Sequence, residues 1–172
     1  SSPIPEKSVN SESSGKTSDE RIILVVDDNV EVRELLRDIL TPAYTIAEAT
    51  DGVDGWNKAC ELVPDLIISD VIMPEMDGNT LCEKLKTSNI TNHIPVILLT
   101  ALPTNEDRIK GLKHGADSYI PKPFDVEHLL VRVQKLISSR LQLKEKYMKD
   151  FLIMPEKNPG QEVNPSAEYI AR

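Results

Sequence analysis

The middle of the chain switches repeatedly between strand-like and helix-like hydrophobic patterns, and this alternation limits the fold more than any other feature. Five short apolar runs predict strands at Ile22–Asp27, Tyr44–Ala49, Leu66–Asp70, Pro95–Thr100 and Ser118–Ile120. The stretches that follow them predict helices at Glu31–Leu40, Val53–Leu62, Asn79–Thr87, Asn105–Lys113 and from Val126 through Lys144–Tyr147. Strict alternation predicts an α/β fold: a doubly wound sheet of five parallel strands with helices on both faces.

The first and last predicted helices carry the clearest apolar faces. We expect the following side chains to face the core: Val32, Leu35, Leu36, Ile39 and Leu40 in the first helix, and Leu129, Leu130, Val133, Leu136 and Ile137 in the last. The fourth helix is short and polar, which suits an element of low local stability.

Composition excludes several broad classes of protein. The chain has 172 residues and a net charge of −8, so general affinity for nucleic acid is not expected. Cys60 and Cys82 have no spacing typical of a disulfide framework or a metal site, which favours a reducing, cytoplasmic setting. Apolar runs fall short of the roughly 18 residues that span a bilayer, so we expect no membrane contact by this fragment.

The two ends differ in composition from the middle. Residues 1–20 are rich in Ser, Glu, Lys and Pro, which predicts a polar linker or disordered tail. Residues 21–139 carry the strand and helix pattern of one domain. Residues 140–172 predict a helical extension, then a Pro-rich linker leading toward a further domain, with Ser166 placed to cap another helix.

Polar side chains stand where four of the predicted strands end. They are Asp27 and Asp28 after the first strand, Asp70 on the third, Thr100 on the fourth and Lys122 after the fifth. Because the carboxyl ends of parallel strands meet at one edge, we expect a shared crevice there. Asp28 and Asp70 suit direct binding of Mg²⁺, and Asp27 suits binding through water. Asp70 can attack phosphorus, while Lys122 and Thr100 bind the phosphoryl oxygens.

Four ordered motifs in this region resemble the receiver domains of two-component response regulators. The matching segments are Val26-Asp27-Asp28-Asn29, Asp70-Val71-Ile72-Met73-Pro74-Glu75-Met76-Asp77-Gly78, Leu99-Thr100-Ala101 and Tyr119-Ile120-Pro121-Lys122-Pro123-Phe124. The resemblance implies a flavodoxin-like fold and a phosphoacceptor function, with Asp70 receiving a phosphoryl group from a histidine kinase. Catalysis would then be limited to the chain's own phosphorylation and dephosphorylation.

The same resemblance implies further roles. Mg²⁺ or Mn²⁺ would be held by Asp28, Asp70 and the backbone carbonyl of Ile72, with Asp27 assisting. Thr100 and Tyr119 would form a switch that reshapes the fourth helix, fifth strand and fifth helix. The peptide bond between Lys122 and Pro123 would be cis. We also expect this reshaped surface to support a homodimer.

The flanks are similar to the region after the receiver in hybrid sensors, which join a sensor, a histidine kinase, a receiver and an AraC-type helix-turn-helix domain. This implies a kinase domain acting in cis or in trans, a transcriptional output, and a cytoplasmic location, including the cytoplasmic part of an inner-membrane sensor. DNA binding would belong to residues outside this chain.

Three other readings compete with this one. A phosphatase of the haloacid dehalogenase type uses an Asp-x-Asp pair, but Ile72 stands at the second position. A pseudo-receiver, which binds partners without accepting phosphate, is opposed by the full set of acidic, Thr and Lys residues. A free-standing single-domain regulator is opposed by the linker-like ends.

Overall fold

The computed structural model describes residues 20–101 and 105–153 of the chain. The strands are β1 (Ile22–Val26), β2 (Thr45–Ala49), β3 (Leu66–Asp70), β4 (Val96–Thr100) and β5 (Ser118–Pro121), and the helices are α1 (Val30–Leu40), α2 (Gly52–Leu62), α3 (Gly78–Thr87), α4 (Asn105–Lys113) and α5 (Val126–Ile153). Each predicted element is present. Most boundaries lie within about one residue of the prediction, but α5 continues beyond Tyr147.

The five strands form one parallel sheet in the order β2-β1-β3-β4-β5. The order steps outward from β1 in one direction and from β3 in the other, so the crossover helices cover both faces. The predicted doubly wound, flavodoxin-like fold is therefore confirmed.

The first three helices each begin at a short polar side chain. Asn29, Asp51 and Asp77 cap α1, α2 and α3, and each accepts a hydrogen bond from a backbone N–H in the first turn. Such caps satisfy backbone donors that have no partner inside the helix. They fix where each helix starts, directly after the strand ends that matter for function.

Alternation along the buried strands sends successive side chains to opposite faces of the sheet. On one face, strand residues pack with α2 and α3; this cluster includes Leu24, Val26, Ile67, Leu98, Ala59, Leu81 and Leu85. On the other face, strand residues pack with α1 and α5; this cluster includes Ile23, Val25, Ile68, Leu99, Leu36, Leu40, Leu129 and Val133. The sheet is thus held rigidly between two apolar layers, which gives its polar edge a fixed frame.

One predicted core residue is wrong. Leu35 is 48% exposed, although the apolar pattern of α1 included it. The buried face of α1 centres on Leu36 and Leu40, which lie one turn apart, and Leu35 is rotated by about 100° from Leu36. The remaining predicted face residues of α1 and α5 are buried or pack at the border of the core.

The chain divides between Ile137 and Ser138 into two compact units. The first contains the whole sheet, and the described part of the second is the end of α5. The predicted tail before Glu20, the Pro-rich linker and the helix capped by Ser166 lie outside the described residues, so the proposed domain limits stay predictions. Among the described residues, no helix has the combined length and apolar content needed to cross a bilayer.

Candidate functional site

The strands that carry the predicted site residues are neighbours in the sheet. Val26 pairs in register with Ser69, so Asp27 and Asp70 stand at the same level on adjacent strands. Thr100, the last residue of β4, pairs with Pro121, which directly precedes Lys122. The sheet therefore brings all of these positions to one carboxyl edge, as predicted.

Three carboxylates converge at this edge. Asp27, Asp28 and Asp70 each offer an oxygen, and these oxygens lie within 4.8 Å of one another. Their exposure is graded: Asp27 is buried, Asp70 is partly buried and Asp28 is exposed. Oxygen ligands at this spacing, open to water on one side, fit Mg²⁺, which binds one or two carboxylates and retains several waters.

Lys122 supplies the positive charge of the site. Its Nζ atom donates a hydrogen bond to Asp27 Oδ2 at 3.2 Å and lies 3.6 Å from Asp70 Oδ1. The peptide bond between Lys122 and Pro123 is cis, and the Lys122 N–H donates to the Thr100 carbonyl. The ammonium group thus bridges two carboxylates that would otherwise repel each other.

Asp70 is held in an environment that favours its protonated form. Burial raises the pKa of Asp70, and the nearby Asp27 carboxylate raises it further. The Lys122 ammonium and the backbone N–H groups of Val71 and Ile72 oppose this shift without cancelling it. Because the ionised form of Asp70 is disfavoured, a cation placed beside it would stabilise that form. A bound metal ion is one such cation.

The loop after β3 is shaped by a close backbone approach. The Val71 N–H donates to Asp70 Oδ1 at 2.8 Å, and the Gly78 N–H donates to the Val71 carbonyl at 2.8 Å. A Cβ atom on Gly78 would lie 2.1 Å from the Asp70 carbonyl oxygen, a severe clash. The sequence indicated only a turn at Gly78, whereas its lack of a side chain lets α3 begin directly against the backbone of Asp70.

Arg33 is a site residue that the sequence reasoning missed. From α1, its Nη1 atom donates to the Asp27 backbone carbonyl at 2.7 Å, and its Nε atom lies 3.5 Å from Glu48 Oε1 on β2. The Asp27 side chain also accepts from the Asn29 N–H at 2.9 Å. Arg33 therefore ties the backbone of the buried carboxylate to the neighbouring strand, and because the contact joins separate elements, the sequence carries no local signal for it.

The two predicted switch residues lie on adjacent strands. Thr100 is fully buried at the end of β4. Tyr119 on β5 is partly buried and packs against the core cluster on the face of α2 and α3. Ile72, whose carbonyl was predicted as a metal ligand, has a 54% exposed side chain beside the site. These positions are compatible with the predicted roles but do not test them.

The sequence profile of the response regulator receiver domain matches residues 23–134, which is more than half of the chain. The chain belongs to the response regulator receiver family. The resemblance drawn from the four motifs is confirmed by this match, and Asp27, Asp28 and Asp70 lie within the matched range.

Known receiver-containing proteins are similar over the same region. The chain is 42% identical over 125 residues to Histidine kinase P4 of Formosa agariphila and 44% identical over 124 residues to Response regulator PleD of Caulobacter vibrioides. These matches cover 73% and 72% of the chain but only 9% and 27% of the two relatives. The chain thus spans only a small part of each of these two relatives.

Solved structures support the same assignment. The receiver domain of a signal transduction histidine kinase from Syntrophus aciditrophicus is 40% identical, with a TM-score of 0.66. That match covers 70% of this chain and 92% of the solved one. Receiver domains act in two-component signalling with histidine kinases, so this chain carries a two-component signalling domain.

Proposed function

We propose that this receiver domain accepts a phosphoryl group on Asp70 from the phosphohistidine of a histidine kinase, with Mg²⁺ bound at the acidic cluster. The observation that carries the proposal is the convergence of the Asp27, Asp28 and Asp70 oxygens within 4.8 Å, with Lys122 bridging two of them. A site that needs only positioning and charge neutralisation matches the known demands of phosphoryl transfer.

In the proposed reaction, an Asp70 carboxylate oxygen attacks phosphorus in line with the departing histidine nitrogen. The P–N bond breaks, the imidazole nitrogen keeps the bonding electrons, and an acyl phosphate forms on Asp70. Lys122 exchanges part of its contact with Asp27 and Asp70 for the phosphoryl oxygens. The Thr100 hydroxyl donates a hydrogen bond to the same group.

Asp28, Asp70 and the Ile72 carbonyl would hold Mg²⁺ (or Mn²⁺), with Asp27 acting through water. When bound, the cation neutralises the negative charge that accumulates around phosphorus. Because Asp27 raises the pKa of Asp70, the two carboxylates repel each other, and the bound cation relieves that repulsion.

We infer that phosphorylation biases a two-state element built around Thr100 and Tyr119. Thr100 shifts toward the new phosphoryl group, and Tyr119 turns inward to occupy the vacated space. The surface formed by α4, β5 and α5 then changes shape, and this changes its affinity for partner proteins. Ile109 and Leu112 are exposed on α4 and provide an apolar strip through which this surface would pair with a second receiver.

We further propose that the parent protein is a hybrid sensor with a transcriptional output. Relatives that include Histidine kinase P4 and Sensor histidine kinase TmoS of Ectopseudomonas mendocina support this idea. In such a chain the receiver would lie in the cytoplasm and contact its kinase domain in cis or in trans. The fragment itself would not turn over a separate substrate or bind DNA.

The pseudo-receiver alternative is less favoured, because a domain that never accepts phosphate has no need of three converging carboxylates with a lysine beside two of them. The dehalogenase-type alternative lacks an acid at the second position, where Ile72 stands.

The direct test of partner chemistry is phosphotransfer from a labelled histidine kinase core. With Mg²⁺, label should leave the kinase and appear on this chain, and it should not appear on Asp70→Asn or in the presence of EDTA. Transfer that persists in Asp70→Asn would refute Asp70 as the acceptor. The switch has a separate test: a Tyr119→Ala variant that still accepts phosphate and transmits a normal output would refute the role of Tyr119.

A further inference from the structure

The second compact unit presents an unusual apolar surface on α5. Where the structure describes the side chains of this unit, the large apolar ones are exposed: Leu141, Leu143, Tyr147, Met148, Phe151 and Leu152. The exposed fraction is 69% for Tyr147, 75% for Phe151 and 77% for Leu152. A group of large exposed apolar side chains is typical of an interaction surface, because leaving them in contact with water does not stabilise the chain by itself.

Leu141, Met148 and Phe151 are arranged along a heptad seam, Tyr147 and Leu152 flank it, and Leu143 lies on the outer side of the helix. At about 100° per residue, Leu141, Met148 and Leu152 lie within a narrow arc, and Phe151 lies next to it. Leu141 and Met148 are seven residues apart and occupy equivalent a positions. Phe151 then occupies a d position, and Lys144, seven residues earlier, occupies the preceding d position. This is the spacing that lets two helices pack side by side.

The residues that flank this seam indicate the direction in which a second copy of the helix would pack against it. In a parallel pair, each g position faces the e position five residues later on the other helix. Arg140 at g would face Glu145 at e, which joins opposite charges. Tyr147 at g would face Leu152 at e, which joins two apolar side chains. An antiparallel pair would instead place g against g and e against e, and this would lose the charge match.

The polar side of the same helix argues against a lipid surface as the partner. It carries Glu145, Lys146, Lys149 and Asp150, so both signs of charge are mixed. A helix that lies on a membrane typically carries a strongly basic polar face instead.

We propose that residues 138–153 form a parallel two-stranded coiled coil with the same segment of a second copy of this chain. The seam covers only about two heptads, and Lys144 interrupts its apolar core. A short seam with one charged core position gives a weak, register-specific pair rather than a permanent one. The contact differs from the α4-β5-α5 surface and does not depend on phosphorylation of Asp70.

The interrupted core offers a gain-of-function test by sedimentation velocity on the full chain over a range of concentrations. Lys144→Leu completes the seam, so the dimer dissociation constant should fall at least about tenfold. Lys146→Leu makes the same chemical change on the outer face and should leave the constant unchanged. Phe151→Ala removes an apolar core side chain and should raise the dimer dissociation constant. No phosphoryl donor is present, so failure here and failure of the phosphoacceptor proposal are distinguishable.

Cross-linking tests the direction and register of the pair. In a Cys60→Ser, Cys82→Ser background, Met148→Cys should form a disulfide-linked dimer under mild oxidation, because parallel a positions face each other across the seam. Lys146→Cys should not. Equal effects of the two leucine variants, a dimer without the Met148→Cys link, or binding to anionic lipid vesicles by a monomeric chain would each overturn the proposal.

Discussion

Lys122 Nζ lies 3.2 Å from Asp27 Oδ2, and this contact joins the ammonium group of a partly buried lysine to a carboxylate of a residue that is 1% exposed. The pair links the end of β1 to the residue after β5, on the far side of β3 and β4. Because Asp70 lies between these strand ends and 3.6 Å from the same ammonium, one cation balances two acids. The site is therefore short of positive charge.

Asp70→Asn should raise the unfolding temperature by a few degrees at neutral pH with EDTA present. Burial and the Asp27 carboxylate raise the pKa of Asp70 in the folded state above the ordinary 3.8. The stability associated with this group is therefore fully present below 3.8 and is lost as the pH rises through the raised pKa. Asn carries no charge and avoids that loss.

Thermal unfolding of both proteins, followed by circular dichroism from below pH 3.8 to neutral pH, measures the difference in their unfolding temperatures. The advantage of the variant over the parent chain should shrink as the pH is lowered through the raised pKa of Asp70. An advantage that stays constant with pH, or a less stable variant at neutral pH, would contradict the electrostatic description of the site.

Lys122→Met should destabilise the fold by about 1–3 kcal/mol without metal, since it leaves the buried Asp27 carboxylate without its ammonium partner. Adding Mg²⁺ should recover more stability in the variant than in the parent chain, because the cation replaces the missing charge. Urea unfolding with and without Mg²⁺ gives both quantities. If Mg²⁺ stabilises the two proteins equally, the lysine and the metal are not electrostatically coupled.

Arg33→Gln should weaken Mg²⁺ binding by about tenfold. This is the usual effect of losing a side chain that orients a metal-binding residue without itself contacting the metal. Arg33 donates to the Asp27 carbonyl and thereby fixes the backbone that carries Asp27 and Asp28. Arg33→Lys should restore part of the affinity. Mg²⁺ titration followed by backbone amide shifts in NMR spectra measures the dissociation constant directly.

Arg37→Gln is the matched control for this experiment. Arg37 also pairs with Glu48, but its side chain is 52% exposed and it lies one turn further along α1. It should leave the Mg²⁺ dissociation constant unchanged. Equal weakening by both variants would mean that the shared Glu48 partner, and not the contact with Asp27, governs the site.

Val63→Asn should stabilise the chain by about 0.5–1 kcal/mol. Val63 ends α2 in the left-handed region with φ of 44°, which is costly for a β-branched residue and tolerable for Asn. The hydrogen bond that the backbone N–H of residue 63 donates to the Ala59 carbonyl is kept in the variant. Leu62→Asn, at a similarly exposed position inside the helix, serves as the control and should not stabilise. The midpoint of urea unfolding distinguishes the two.

Much of this domain follows from local sequence pattern. The strands were predicted because they are short apolar runs, of which β1, β3 and β4 are buried on both faces. The site residues were predicted because parallel strands end at one edge. Asp27, Asp70 and Lys122 could therefore be placed together before any contact was known.

Features that depend on packing between elements were not predictable in this way. The contact of Arg33 with the Asp27 carbonyl requires the path of α1 across the sheet, and Glu48 comes from another strand. The exposure of Leu35 depends on which part of the apolar arc of α1 meets the sheet. The clash that requires Gly78 exists only because α3 starts against the Asp70 carbonyl. Periodicity contains none of this information.

The most direct test of the central claim is intact-mass analysis after incubation with acetyl phosphate and Mg²⁺. The chain should gain the mass of one phosphoryl group, the adduct should be stable in acid and labile in base, and neither Asp70→Asn nor an EDTA-treated sample should gain it. A failure of the parent chain to gain mass, or an equal gain by Asp70→Asn, would contradict the account of Asp70 as the phosphoacceptor.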